Sequence, residues 1–247
     1  MTCFNAKKFL KQSIKSALNQ NFKGYELIII DDGSTDGSKS IINSFNNKKI
    51  NKFFLKKNIG RTNALNYGLK KCDSEYIAIL DADDTSSSDR LNKQFKFLEK
   101  NKDCDLVCSF YKMKYSNKKS KVINFPEIKE FKEKLKYFNL IAHSSVMYRA
   151  NQIKKLKIYN NKFLYAQDYE MILKFLKKNK IGFIPEVLST ININNSNMSN
   201  SSKYKKIVVF ERVKLLYFSL RNFNFKFLEI INIWLTIIYL MIKYYLI

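Results

Sequence analysis

Two short apolar runs stop abruptly at aspartates, and that junction restricts the possible folds more than any other feature of the chain. YELIII (residues 25–30) runs into Asp31-Asp32-Gly33, and EYIAIL (residues 75–80) runs into Asp81-Ala82-Asp83-Asp84. An apolar run of this length closed by turn chemistry reads as a buried strand. Strands are therefore expected at Tyr25–Ile30 and Tyr76–Leu80, with others at Lys52–Leu55 and Asp105–Phe110. Between them the period changes. Residues 6–20 carry Phe9, Leu10, Ile14, Ala17 and Leu18 on one helical face behind Asn5 as N-cap, and residues 39–47, 62–71 and 89–100 are helical in pattern too. This alternation, with no hairpin signal in the first 110 residues, predicts an α/β domain: a mostly parallel sheet with helices on both faces. Ligands of such open sheets bind at the carboxyl ends of the strands. Both aspartate clusters are expected there.

One aspartate after a strand is ordinary turn chemistry. Three in four positions are different, because Asp81, Asp83 and Asp84 repel one another unless a cation neutralises them. Clustered carboxylate oxygens, completed by phosphate oxygens, suit Mg²⁺ or Mn²⁺.

The charge balance is less specific. The net charge of +24 comes from 45 Lys and Arg against 21 Asp and Glu, but only Arg61, Arg90, Arg149, Arg212 and Arg221 are arginines. Nucleic-acid readers favour arginine for bidentate contacts, so no specific nucleic-acid partner is expected. The lysine excess reads as compositional bias, with a local part able to attract anionic nucleotides or lipid headgroups. A hydrophobic content of 46% excludes general disorder. Four scattered cysteines and one histidine provide neither a disulfide framework nor paired zinc spacing, which favours a reducing, cytosolic compartment.

Four segments, FNAKKFLKQSIKSALNQNFKGYELIIIDDGSTDGS, NIGRTNALNYGL, EYIAILDADD and AQDYEMILKF, resemble in order and spacing the family 2 glycosyltransferases of the GT-A fold. The resemblance covers residues 1–190 and implies a Rossmann-like nucleotide-binding sheet. It also implies a donor site. Thr2, Phe4 and Asp32 match positions that hold the nucleotide base, with Phe4 where tyrosine is usual. Arg61 and Asn63 fall in the segment facing the nucleotide phosphates. Asp81 and Asp83 match the family's DxD motif, with Asp83 as the direct ligand of Mn²⁺ or Mg²⁺. Asp168, preceded by Gln167, matches the catalytic base, and His143 in IAHSSVMYR matches a position near the acceptor side.

The chemistry implied is a single displacement with inversion. Asp168 takes the proton from an acceptor hydroxyl while that oxygen attacks the anomeric carbon. The metal and Arg61 stabilise the leaving diphosphate. A nucleotide-diphosphate sugar, UDP-sugars first, is the expected donor, and a saccharide or lipid-linked hydroxyl the acceptor, in cell-surface polysaccharide or lipopolysaccharide synthesis. Two departures stand out. Met1-Thr2-Cys3 enters where the family's first strand ends, which points to a start lying upstream or to a lost central strand. Ser86-Ser87-Ser88 replaces a usual proline before Asp89-Arg90-Leu91.

Other readings stay open at this stage. AILDADDT also matches a DxDxT phosphatase with Asp81 as nucleophile, although two strand–helix units precede it. A catalytically impaired family member, or a basic binding protein for membrane or nucleic acid, would give no role to Asp83 or Asp168.

Beyond residue 110 the pattern loosens. A hairpin is expected around Asn117-Lys118, helices at 127–138 and 168–178, an ordered block from His143 to Leu188, and a polar loop at 192–202. The expected organisation is a catalytic domain at 1–190, a linker at 191–202 and helices at 203–247 that break near Asn222–Asn224. The first of these helices is basic, with Lys203, Lys205, Lys206, Arg212, Lys214, Arg221 and Lys226; the second, FLEIINIWLTIIYLMIKYYLI (227–247), is strongly apolar. This tail can lie in a membrane plane, pack on the domain or a second subunit, or span a bilayer. Its basic flank favours the cytoplasmic face of the plasma membrane.

Overall fold

The computed structural model describes residues 1–117, 119–152, 158–178, 180–193 and 204–246. The first half alternates strand and helix: β1 Thr2–Cys3, α1 Lys7–Leu18, β2 Leu27–Asp31, α2 Ser38–Ser44, β3 Ile50–Phe54, α3 Arg61–Leu69 and β4 Tyr76–Ala78. Next come β5 Thr85–Ser86, α4 Arg90–Lys100, β6 Leu106–Tyr115, β7 Ser120–Ile123 and α5 Ile128–Leu135. A 3-10 turn at His143–Ser145 leads into β8 Met147–Arg149, then α6 Gln167–Lys177, β9 Ile181–Ile193, α7 Lys205–Asn222 and α8 Phe227–Leu246.

The strands form two sheets. One is parallel, in the order β1-β2-β3, and the other runs β4-β8-β6-β9-β5 with β7 on β6. β2 shows why the apolar run is a strand. Its alternate residues serve two helical layers: Leu27 and Ile29 pack with Leu10, Ile14 and Ile42 of α1 and α2, while Ile28 and Ile30 pack with Ala64 of α3. A residue buried on either face has to be apolar, so the strand loses its polar alternation.

The second sheet departs from the expected parallel pattern. β4–β8, β6–β8, β5–β9 and β6–β7 are antiparallel, and only β6–β9 is parallel. The chain reverses at the β6–β7 hairpin, which was expected, although Lys118 at its tip lies outside the described residues. β9 continues to Ile193, so the polar loop begins later than the composition indicates. Residues 194–202 and Lys203 lie outside the described residues. Pairing along ten positions of β6 holds Asn192 and Ile193 in the sheet despite their turn-forming neighbours. β4 is shorter than its apolar run, because the Ile79 N–H donates to Val146 O and the chain then turns into the acidic loop.

Asn5 does not cap α1. Its amide oxygen accepts from the Thr35 N–H, and the helix start is satisfied across the chain: Lys7 N–H donates to Asp36 Oδ2 at 2.9 Å and Ala6 N–H to Ser38 Oγ at 3.0 Å. The GSTDGS loop thus ties α1 to α2. It tolerates only glycine at position 33, where φ is +73° and a Cβ would lie 2.6 Å from the Lys57 carbonyl carbon.

α7 and α8 form an antiparallel hairpin closed by Val209, Val213 and Leu216 against Ile233, Ile237 and Leu240. Leu215 enters the main core, and Ser219 Oγ donates to Lys136 O at 2.5 Å, so the hairpin is docked on the sheet domain. The opposite face of α8 leaves Phe227, Leu228, Leu235, Ile238, Tyr239, Ile242 and Tyr245 exposed.

Candidate active site

The acidic loop is fixed by buried groups beneath it. Arg90, 1% exposed, donates through Nη2 to Ile79 O at 2.7 Å and Val146 O at 3.0 Å, closing β4 against β8 just before the loop. Asp84 faces inward. It accepts from Ser144 Oγ at 2.5 Å and from the Asn192 N–H at 3.0 Å, and the Asn192 side chain donates to Asp83 O. The Asp81 N–H donates to Ser144 Oγ, and Ser13 Oγ to Asp81 O. With the backbone held this way, the carboxylates of Asp81 and Asp83 remain for chemistry.

Their electrostatics differ. Asp81 is buried, which favours its neutral form, but the Arg61 guanidinium at 2.7 Å and His143 outweigh this and hold it below the usual carboxylate range. Asp83 has no such partner. Burial, reinforced by the charge on Asp81, pushes it up to about 6. Arg61 offsets only part of this, so ionising Asp83 beside Asp81 calls for further positive charge.

Arg61 is the hub of the site. Burial opposes its charge, yet the carboxylates of Asp81, Asp168 and Asp83 together raise its pKa. Its Nη2 also lies 3.1 Å from His143 Nδ1. The other ring nitrogen, Nε2, lies 2.8 Å from Tyr159 Oη. His143 is thus buried with both nitrogens used inside the protein. It braces Arg61 on the DxD side of the site. Arg61 itself opens α3, and Asp32 sets that start: its oxygens accept from the Ile59 N–H at 2.8 Å and the Gly60 N–H at 3.1 Å. Burial raises the Asp32 pKa against these two bonds.

Thr2 pairs with Ile30, and the Asp32 N–H donates to Cys3 O at 2.8 Å, so Thr2 and Asp32 stand together at the carboxyl ends of β1 and β2. Phe4 follows them, 46% exposed. Asn63 is exposed on the first turn of α3, with its amide donating to Ile59 O at 2.7 Å. Asp168 lies close enough to Arg61 for its charge to raise the Arg61 pKa. It is the second residue of α6, half-buried, and its Oδ2 accepts from Asn139 Nδ2 at 3.1 Å. Gln167 beside it is fully buried, and neither atom of its amide has a partner among the described residues.

The sequence reading assigned no role to Arg90, Ser144, Asn139, Tyr159 and Asn192, which hold the site. The Asp-Arg-Leu helix start was the one available signal for Arg90. A cavity of about 380 Å³ lies beside β4, lined by Tyr25, Tyr76, Leu80, Arg90 and Leu91.

Among the described residues no group of three or more His, Cys, Asp or Glu forms a ready metal cage. The donor set still fits a hard cation: Asp81 and Asp83 offer carboxylate oxygens two residues apart, and Mg²⁺ and Mn²⁺ usually complete their shells with substrate phosphates and water.

The sequence profile described as Glycosyl transferase family 2 matches residues 1–158. An uncharacterized glycosyltransferase of Methanocaldococcus jannaschii is 34% identical over 224 residues, covering 87% of this chain and 77% of its own. A Bacillus subtilis protein named for teichuronic acid biosynthesis, the glycosyltransferase TuaG, is 29% identical over 87% of each chain. Among solved structures, Staphylococcus aureus TarS in complex with UDP-GlcNAc superposes with a TM-score of 0.74 at 19% identity, over 91% of this chain and 66% of that one. The mannosyltransferase PcManGT of Pyrobaculum calidifontis, in complex with GDP-Man and Mn²⁺, gives 0.69 at 14% identity, over 91% of this chain and 64% of that one. The chain thus spans about two thirds of the length of these two structures. At such identities they bear on the fold alone, which is of the GT-A type.

Proposed function

The chain belongs to glycosyl transferase family 2, and from that premise we propose that it transfers a sugar from a nucleotide-diphosphate donor to an acceptor hydroxyl with inversion. The carrying observation is the convergence of Asp81, Asp83 and Asp168 on Arg61. It supports reading Asp83 as the phosphate-side and Asp168 as the acceptor-side carboxylate about one cationic group. Membership of the family removes the DxDxT phosphatase reading of Asp81.

The nucleotide side is formed by Thr2, Phe4 and Asp32 for the base, with Arg61 and Asn63 toward the diphosphate. Asp32 acts mainly by fixing the turn that delivers Arg61. Asp83, helped by Asp81, holds the divalent cation. When bound, that cation supplies positive charge to the departing diphosphate. Arg61 adds a fixed donor at the same place, its orientation held by His143. Asp168 accepts the acceptor's hydroxyl proton as the new bond forms, and Asn139 keeps the carboxylate in position. Gln167, fully buried and with no amide partner among the described residues, supports the start of α6 beneath Asp168. The complexes of TarS with UDP-GlcNAc and of PcManGT with GDP-Man and Mn²⁺ support a nucleotide sugar and a divalent metal. UDP-sugars come first, in line with the TarS complex with UDP-GlcNAc.

Catalysis belongs to residues 1–190, and the segment 203–247 is a membrane-associating appendage. Phe227–Tyr245, 19 residues of mean hydropathy 1.6, is long and apolar enough to cross a membrane by length and composition alone, and 17% of it is buried. One of its faces is already used on α7. That favours an in-plane position with the exposed face in lipid and the lysines of α7 toward anionic headgroups. The protein then works at the cytoplasmic face of the membrane on a lipid-linked or surface saccharide, and the similarity to TuaG supports a polysaccharide context.

A panel of UDP-GlcNAc, UDP-Glc, UDP-Gal, UDP-GalNAc and GDP-Man with Mn²⁺ tests this function. Release of nucleoside diphosphate from at least one donor, abolished by EDTA and by Asp83→Asn, is expected. Release unaffected by either treatment would refute it.

A further inference from the structure

Glu211 lies on α7, in the hairpin beyond the catalytic sheet, yet its carboxylate is only 2% exposed and serves another part of the chain. Oε1 accepts from the Leu164 N–H at 2.6 Å, and Oε2 from the Tyr165 and Ala166 N–H groups at 3.0 and 2.9 Å. Those three residues lead directly into Gln167, where α6 begins, and Asp168 follows.

The start of a helix leaves backbone N–H groups without partners, and a local Ser, Thr, Asp or Asn side chain ordinarily takes one of them. The N-cap of α6 is Ala166, which has no such group. A carboxylate from a helix some 45 residues downstream takes over the N–H groups leading into it. Three charge-assisted bonds to one buried carboxylate fix the approach of the chain in both position and angle. A negative charge beside a helix N-terminus is also favourable.

The same hairpin braces the other side of Asp168. Ser219 Oγ donates to Lys136 O at 2.5 Å, three residues before Asn139, whose amide holds the Asp168 carboxylate. At the far end of α6, Lys177 Nζ donates to Asn222 Oδ1 at 2.7 Å. Asp168 is thus held between two loops, each anchored to α7.

We propose that Glu211 is a positioning residue for Asp168, so that sugar transfer requires the C-terminal hairpin to be docked on the catalytic sheet. The proposal rests on the reading of Asp168 as the base. It gives the appendage a part in turnover that is separate from any contact with lipid. Glutamine at 211 keeps the volume but turns an NH₂ group toward N–H donors. Aspartate is one carbon too short to span the same three groups.

The full-length chain, its Glu211→Gln, Asp168→Asn and Val213→Ala variants, Mn²⁺ and the fastest donor of the panel suffice for a test. Val213 packs within the hairpin and makes none of the hydrogen bonds that anchor the two loops, so its variant controls for loss of stability. In Glu211→Gln, kcat should fall 10- to 100-fold with donor KM within twofold, and Val213→Ala should keep wild-type kcat at a comparable loss of Tm. A Glu211→Gln enzyme with kcat within twofold of wild type overturns the proposal, as does one whose donor KM rises as much as its kcat falls. Should Asp168→Asn keep full turnover, the base assignment itself is wrong and the positioning role goes with it. If only Asp168→Asn is impaired, the base reading stands and the role of Glu211 fails.

Discussion

The two halves of the candidate site are built in opposite ways. The nucleotide half draws on residues 2–4, 32, 59–63 and 81–84, each at the carboxyl end of a strand or the first turn of the helix that follows. Its contacts follow chain order, and its carboxylates come in a compact cluster. The base half consists of Asp168, Asn139, Gln167 and Glu211, which come from the connection after α5, from α6 and from α7. Arg61 is the shared member, pairing with Asp81 while lying within the field of Asp168. The comparison teaches that strand ends and helix starts assemble the first half, with Ser144, Asn192 and His143 bracing it from a distance. Placing a proton acceptor opposite it takes elements distant in sequence.

The sharpest way to separate the halves is to remove one carboxylate from each. Asp168→Asn should lower turnover by about 10³-fold while leaving nucleotide affinity intact, since a positioned base contributes roughly 10²–10⁴. Asp83→Asn should lose as much turnover and also the dependence of UDP binding on Mn²⁺. Initial rates paired with titration calorimetry distinguish the two, and equal loss of UDP affinity in both variants would erase the division proposed here.

Arg61→Lys comes next, because it touches both halves. Lysine keeps the charge but not the fixed planar geometry that serves Asp81 and His143 together. Turnover should drop by about 10²-fold, in the range of a lost transition-state donor. An enzyme within threefold of wild type would show that charge alone suffices there.

Gly33→Ala probes how far local geometry supports the nucleotide half. The left-handed φ and the approach to Lys57 should cost about 2 kcal/mol of stability. Urea unfolding would measure it, and a change below about 0.5 kcal/mol would mean that the loop shifts freely.

The smallest effect concerns the appendage. Leu235→Ser removes one exposed apolar side chain from α8, about 1.5–2 kcal/mol of burial in lipid. Co-sedimentation with vesicles containing phosphatidylglycerol should weaken roughly tenfold, with Tm unchanged. Binding equal to wild type would leave α8 without a lipid-facing role.

Much of the nucleotide half was legible because its rules are local. An apolar run buried on both faces, such as Leu27–Asp31, is recognisable without its neighbours, and carboxylates packed as in Asp81–Asp84 need a cation wherever they are. Asp168 was found through resemblance to a family, since one aspartate in a helix has no signature of its own. Glu211, Arg90 and Asn139 were not legible. Each is an ordinary polar residue whose role lies in bonds to backbone groups or side chains that sequence spacing does not bring near. Asn5 shows the same limit from the other side: its capping signal was sound, but Asp36 and Ser38 offered the helix better partners through the tertiary fold.

By itself, then, the sequence determined the α/β alternation, the acidic strand ends and a basic helix followed by a strongly apolar one, because burial and charge repulsion act on neighbours along the chain. The tertiary structure alone decided that Asp84 turns inward while Asp83 does not, that His143 spends both nitrogens on Arg61 and Tyr159, and that a glutamate of the last helices holds the loop before Asp168. Those outcomes depend on which buried donors meet which acceptors across the fold, and only packing brings them within hydrogen-bonding distance.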